Sequence, residues 1–237
     1  MVTPTGRLDR LPGCDSAVGA SLPKDGVAFR DSDGTTTALD KHGLEELMSC
    51  IFISHLLFEE RILQGRDFWS FPPPVSPTMP FGSVPSSEAL GCAELLRRGH
   101  FMYESTCVSH IGVVDGVDVG LGLFAQVAIP ANSCLGEYTG VVRQRRQEED
   151  DNYSYALPVV EPDLVVCARD YGNLCRLINH SDDGWNAELL SVHHEGLLHV
   201  VCRVARAIAA GEQILIHYGA RYWLPESRRC ISLKSPQ

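Results

Sequence analysis

The stretch YGNLCRLINHSDDGWN, Tyr171 to Asn186, sets Arg176, Asn179, His180 and Ser181 around an apolar Leu177-Ile178 pair and then breaks at Asp182-Asp183-Gly184. A turn of ordinary core gains nothing from so many polar groups, because each must find a partner once it leaves water. The Leu177-Ile178 pair suits the core, and the polar groups beside it call for a reason that core packing does not supply.

Around it the chain is mainly β. HIGVV, GEYTGVV, LVVCA, LLHVVCRVARAI and EQILIHYG are short β-branched runs separated by Gly, Asn, Asp and Pro. They leave too little helix between them for a parallel βαβ pattern. Upstream, DVGLGLFAQVAIP holds Gly120-x-Gly122-x-x-Ala125, which superficially matches a dinucleotide fingerprint. The fingerprint needs a helix after its glycines, and here a strand-like run ends at Pro130 instead. We read the glycines as a turn between strands and leave open whether that turn touches a ligand.

Four pieces, in this order, resemble the SET-domain protein-lysine methyltransferases. They are GLGLFA (120–125) with IPANSCLGEYTG (129–140), DNYSYAL (151–157), CARDYGNLCRLINHS (167–181) and AIAAGEQILIHYGARYW (207–223). The resemblance spans about residues 106 to 224. It implies a β-clip fold in which the C-terminal segment threads a loop near Asn179-His180 as a pseudoknot. It also implies S-adenosyl-L-methionine as methyl donor and a protein lysine as acceptor. By the same match Tyr218 is the catalytic tyrosine, Tyr153 lines the donor and lysine sites, and Gly120, Leu121 and Gly122 offer main-chain contacts to the donor. Arg176 falls on a basic position near the cofactor, with a structural ion pair as its alternative. The Asn179 amide bonds either the donor or the neighbouring strand, and His180 meets the adenine through its main chain. Tyr155 is either a site neighbour or core, and Trp223 either covers the adenine or packs inside.

These residue types suit the chemistry. At pH 7 roughly one lysine in 2,500 is neutral, from a reference pKa near 10.4. A narrow apolar channel lined with tyrosines lowers the lysine's pKa by desolvation and fixes the nitrogen in line with the methyl group. Phenol and carbonyl oxygens can orient the electron-poor methyl through weak CH···O contacts.

The sequence departs from the family pattern in places. SDDGWN (181–186) lacks the zinc-binding Cys that many members carry soon after NHS, and the tail after Trp223 has a lone cysteine, Cys230. Both halves of that zinc site are missing together, so the resemblance is to the minimal viral and bacterial members, and no metal is expected. His193, His194 and Cys202 lack a fourth ligand. Cys167 replaces the usual Asp, Ile216 a common aromatic, and His217 an Asp or Ser.

The rest of the chain bounds the function. A formal net charge of −10 excludes a general nucleic-acid binder and suits a basic protein segment such as a histone tail, or simply a well-solvated surface. The acidic run QEEDDN (147–152) beside Tyr153 has the same two readings. Nine scattered cysteines without a C-x-x-C fit reduced thiols inside a cell, with nucleus and cytoplasm not distinguished. No apolar run is long enough for a membrane span.

Residues 1–104 are expected to be an α-helical N-terminal extension of unassigned role, 105–224 the SET domain and 225–237 a short tail. Within the extension, apolar spacing predicts a helix over about 44–64, capped by Asp40 and stopped at Gly65. Its broad stripe makes a homo-oligomer a reasonable expectation. A proline-rich strap follows at 71–86 and a short helix at 86–99. Two rival readings are a non-catalytic SET-like binding module and a cysteine hydrolase using Cys175 or Cys134 with His180.

Overall fold

The β-branched runs of the C-terminal half do form strands, and their pairing decides where the polar segments lie. A computed structural model describes residues 8–9, 22–63, 95–96, 101–146, 152–157, 164–194, 197–223 and 230–233. The proline-rich strap, most of the 86–99 helix and most of the acidic run fall outside these residues. Of the short helix, residues 95 and 96 are helical, and Leu96 is buried against Val192 and Val201.

Three sheets build the frame. Val27–Arg30 pairs with Thr36–Leu39 on one side and Thr106–His110 on the other, and Leu121–Ala125 completes a four-stranded sheet. A second sheet joins Leu8–Asp9, Leu57–Glu59, Val141–Gln144, Leu164–Cys167 and Ser154–Ala156 in that order. The third packs Cys134–Glu137, Leu197–Val204 and Ala187–His194 antiparallel, with an irregular register between Cys134 and Gly136. Leu123, Leu135, Val200 and Leu215 are fully buried in the core they share. Each such leucine contributes about 2 kcal/mol of transfer free energy.

The glycine segment behaves as the strand-like run implied. Leu121–Ala125 is a strand with no helix behind it, so the dinucleotide reading fails on its fold. The last apolar run, Ile214 to Ile216, lies between two neighbours. Ile214 N–H donates to Leu123 O at 2.8 Å, while Leu215–Ile216 pairs in parallel with Asn179–His180. Asn186 fastens the same segment by donating to Leu215 O at 3.0 Å and accepting from Leu215 N at 2.9 Å. The C-terminal segment thus passes between the glycine strand and the Asn179–Asn186 loop, the arrangement implied by the pseudoknot.

The N-terminal part differs from the expected helical extension. The helix covers Lys41–Met48, and the 44–64 helix does not form. Asp40 caps it as expected, its carboxylate accepting from Gly43 N at 2.8 Å. Ser49 then turns left-handed at φ 49°, and Ile51–Phe52 and Leu57–Glu59 become strands, followed by a short helix at Glu60–Leu63. The physical reason is pairing. Ile51–Phe52 runs parallel to Tyr171–Gly172, and Leu57–Phe58 parallel to Val141–Val142. Short apolar runs fit either period, and the ladder decided for strand. Leu44, Met48, Phe52, Leu56, Phe58 and Ile62 are buried in the chain's own core, so the stripe that had pointed to self-association is already covered.

Candidate functional site

Two helix-poor segments place the site's side chains because their backbones are held by neighbouring strands. Asn173 opens a 3-10 turn over Leu174–Leu177, its side chain accepting from Cys175 N at 3.1 Å. The turn buries Leu177 and Ile178, as the apolar pair implied. It delivers Asn179 beside the glycine strand, where the amide nitrogen donates to Leu121 O at 2.9 Å and Leu177 O at 3.3 Å. The neighbouring strand is thus one partner of the Asn179 amide. Asn179→Ala leaves the Leu121 carbonyl without its amide partner and loosens the glycine turn. The expected cost is about 1–2 kcal/mol of stability, to be read by melting.

The glycines differ in why they are there. Gly120 sits at φ +75° with open space where a Cβ would be. At Gly122 a Cβ would meet Ile111 Cδ1 at 2.7 Å and Gln213 Nε2 at 2.8 Å, so this glycine serves packing. The open face at Gly120 can take a ligand against its backbone.

His180 is almost fully buried and acts through both ring nitrogens. Nδ1 accepts from the Tyr218 backbone N–H at 3.1 Å, and Nε2 faces Asp182 Oδ1 at 3.1 Å. The ring is therefore neutral with its proton on Nε2. Burial holds the imidazole below its usual value of 6.5, against the pull of Asp182. Protonating Nδ1 would set two donors face to face and release the Tyr218 main chain. A depressed folded value means that this contribution to stability is present above 6.5 and lost as pH falls through the lower folded value. Melting curves from pH 8 to 5 will show an acid-side loss that is smaller in His180→Asn. Equal slopes in the two proteins would contradict this.

Tyr218 is pinned by this main-chain bond and by its own hydroxyl, which donates to Ile178 O at 2.8 Å. Burial, with Tyr222 and Tyr153 nearby, pushes its phenol far up, so it stays protonated. Around it the rings of His180, Tyr222 and Trp223 lie 5.3, 4.6 and 6.0 Å away between centroids. Trp223 also lies 5.0 Å from His180, and its buried Nε1 has no protein partner.

Tyr153 is partly exposed and held at its main chain. Its carbonyl accepts from Tyr138 Oη and Ala168 N, at 2.8 and 2.9 Å. Tyr222 Oη donates to the preceding Asn152 O at 3.2 Å. In sequence, Tyr138 and Tyr222 carry no signal beyond adjacency to Glu137 and Trp223. Tyr155 packs against the core, the second of its two readings. Arg176 is buried with its guanidinium on main-chain carbonyls and over the Tyr153 ring, in place of the expected ion pair or open cofactor face.

The cysteine hydrolase reading fails on burial at Cys175. Cys175 is buried, its thiol pushed well up by desolvation with Cys202 beside it, and Cys134 packs on the Leu96 cluster. Cys167, in place of the family's Asp, accepts from Arg143 Nη2 at 3.4 Å. His180, Asp182 and His217 bring ligand-type atoms within 4.8 Å of one another. Both imidazole Nδ1 atoms, however, accept backbone N–H bonds, His217 from Gly219 at 3.0 Å. Their Nε2 atoms then carry protons toward the centre of the trio, the wrong polarity for a cation. The tail closes over this flank: Leu233 N donates to His180 O at 3.0 Å, and Asp182 N to Ser232 Oγ at 2.8 Å.

A family profile described as "SET domain" matches residues 120–219. A histone-lysine N-methyltransferase of Mycosarcoma maydis, H3 lysine-4 specific, is 36% identical over 106 residues, 41% of this chain and 7% of the relative. Histone-lysine N-methyltransferase Set2 of Drosophila melanogaster is 30% identical over 119 residues, 47% of this chain and 5% of the relative. The chain thus spans less than a tenth of the length of these curated relatives. Among solved structures, ATXR5 in complex with histone H3.1 mono-methylated on R26 superposes with a TM-score of 0.53 at 20% identity, covering 76% of this chain and 85% of that one, a likeness of fold. Residues 120–219, which hold the glycine strand, the Asn179-His180 segment and the Tyr218 turn, thus match the SET-domain family.

Proposed function

We propose that the chain is an S-adenosyl-L-methionine-dependent methyltransferase that modifies lysine side chains of a protein, a histone tail being the substrate its charge suits best. The observation that carries this is Tyr218, its backbone tied to His180 and its phenol to Ile178 O, with Tyr222, Trp223 and Tyr153 beside it. The donor fits the residues present. Gly120 leaves backbone open, and the buried indole N–H of Trp223 lacks a partner within an aromatic wall. Gly120, Leu121, Gly122, Asn179 and His180 would hold it, with Tyr153 beside them.

The bound donor supplies a sulfonium-activated methyl group. The chain's own residues do the rest. The Tyr218 phenol, always protonated, spends its proton on Ile178 O and keeps its lone pairs for the incoming amine and for methyl C–H groups. Tyr153 and Tyr218 narrow the approach, and aromatic walls exclude water and favour the neutral amine. Positioning along one line is the main source of rate here. The acidic balance of the chain favours a basic segment as partner and works against direct nucleic-acid binding. Nucleus and cytoplasm both hold such substrates. Among the described residues no helix is long and apolar enough to cross a membrane.

Incubation with labelled S-adenosylmethionine and core histones, or a mixed lysate, tests the reading. Label is expected in protein. Donor binding with no transfer to any protein would make the chain a binding module, and no donor binding would remove the cofactor assignment.

A further inference from the structure

Arg176 and the N-terminal helix are joined in a way that neither the motif nor the matched residues contain. The Arg176 guanidinium uses Nε on Ala168 O at 2.8 Å, Nη1 on Met48 O at 2.9 Å and Nη2 on Arg169 O at 3.4 Å. Its Cζ lies 4.1 Å from the centroid of the Tyr153 ring. Met48 is the last residue of the Lys41–Met48 helix, so the cation meets the carbonyl end of that helix, where positive charge is favoured. One planar group thereby touches the helix end, the 168–169 corner and the face of a site tyrosine. A lysine, a point charge with three donors, cannot reproduce that fork and stack.

The helix is itself locked to the same corner. Ile51 N donates to Asp170 O at 2.9 Å and Ile53 N to Gly172 O at 3.0 Å. Thr139 Oγ1 donates to Ile53 O at 3.1 Å. Glu45, on the helix, accepts from Phe52 N at 2.9 Å and so fixes the helix against its following strand.

We propose that Arg176 is a positioning residue that couples the N-terminal segment 41–53 to Tyr153, so that this segment, outside the matched SET residues, sets the wall of the lysine site. The proposal rests on the reading of Tyr153 as a site residue. It assigns Arg176 to the protein frame and away from the donor, and it makes the N-terminal segment part of the catalytic unit.

Hydrogen exchange on the full chain tests it, with calorimetric titration of S-adenosylmethionine and transfer to core histones alongside. In Arg176→Lys the peptide spanning 152–157 is expected to exchange about tenfold faster, while the peptide spanning 106–110 is unchanged. Donor Kd and donor KM stay within about threefold, and kcat falls about tenfold. Glu45→Ala, which touches neither Arg176 nor the site, is expected to move the 152–157 peptide in the same direction. It also carries the test if Arg176→Lys fails to fold. An unchanged 152–157 peptide with a tenfold weaker donor Kd would make Arg176 a donor ligand and overturn the proposal. A Glu45→Ala protein that melts lower yet leaves 152–157 unchanged would overturn the coupling to the helix. Absence of donor binding in the parent chain would strike the cofactor reading alone, since the exchange comparison still decides the coupling.

Discussion

Replacing Tyr218 with phenylalanine is expected to slow methyl transfer about a hundredfold while donor binding stays within about threefold of the parent chain. The ring is packed by His180, Tyr222 and Trp223, and phenylalanine keeps all of those contacts. Its backbone bond to His180 is equally unaffected. What disappears is one oxygen, the one whose proton is held by Ile178 O and to which the proposed function gives the reacting amine and methyl. Losing the bond to Ile178 O costs only about 1 kcal/mol of stability. A rate loss much larger than that, with intact donor binding, places the hydroxyl in the transition state. Single-turnover rates at saturating donor, with calorimetric Kd values, make the comparison. Unchanged transfer by Tyr218→Phe would remove the tyrosine from the chemistry.

The largest expected effect on stability lies at Gly140. A Cβ there would sit 2.5 Å from the Cys167 carbonyl oxygen and 2.7 Å from its carbon. These are backbone atoms of the paired strand, Val141 facing Cys167 across the ladder, so no rotamer change relieves the clash. Gly140 O also receives the Leu57 N–H at 3.0 Å, which ties the N-terminal strand to the same point. Gly140→Ala must therefore spread three strands or shift the 167–168 corner that carries the Arg176 contact. The expected cost is about 3 kcal/mol or more, beyond ordinary overpacking because the neighbour cannot yield. Gly43→Ala supplies the contrast. It lies in the Lys41–Met48 helix with no atom closer than 3.4 Å to the added carbon, and it is expected to stabilise by about 0.5–1 kcal/mol. Thermal melting of both variants checks the pair, and a Gly140→Ala protein that melts like the parent would refute the packing argument.

Much of the frame was legible because the strand signals after residue 105 are local. Leu121–Ala125 and Leu197–Val204 follow from β-branched runs, and Asp40 from its place before a helical stripe. The helix expected over 44–64 was not, because CIFIS and HLLFEE satisfy both periods. Their fate was settled by ladders with residues 171–172 and 141–142, more than eighty positions away. The polar segment was legible as a candidate site only through its resemblance to a known family, and Asn179, His180 and Tyr218 do come together. Arg176 was less so. A buried guanidinium and a cofactor-facing one look alike in sequence, and only the three carbonyls around it tell them apart. The contacts of Tyr138 and Tyr222 were not legible, because each acts through its hydroxyl on the main chain of residues 152–153, which leaves no sequence signature.

The most direct test of the central claim is the identity of the amino acid that receives the methyl group. After incubation with labelled S-adenosylmethionine and core histones, the protein fraction is hydrolysed and its amino acids are separated. The account predicts label in methylated lysine, appearing about a hundredfold more slowly with Tyr218→Phe. Label on any other residue, or a donor that binds and never leaves its methyl on protein, would contradict it.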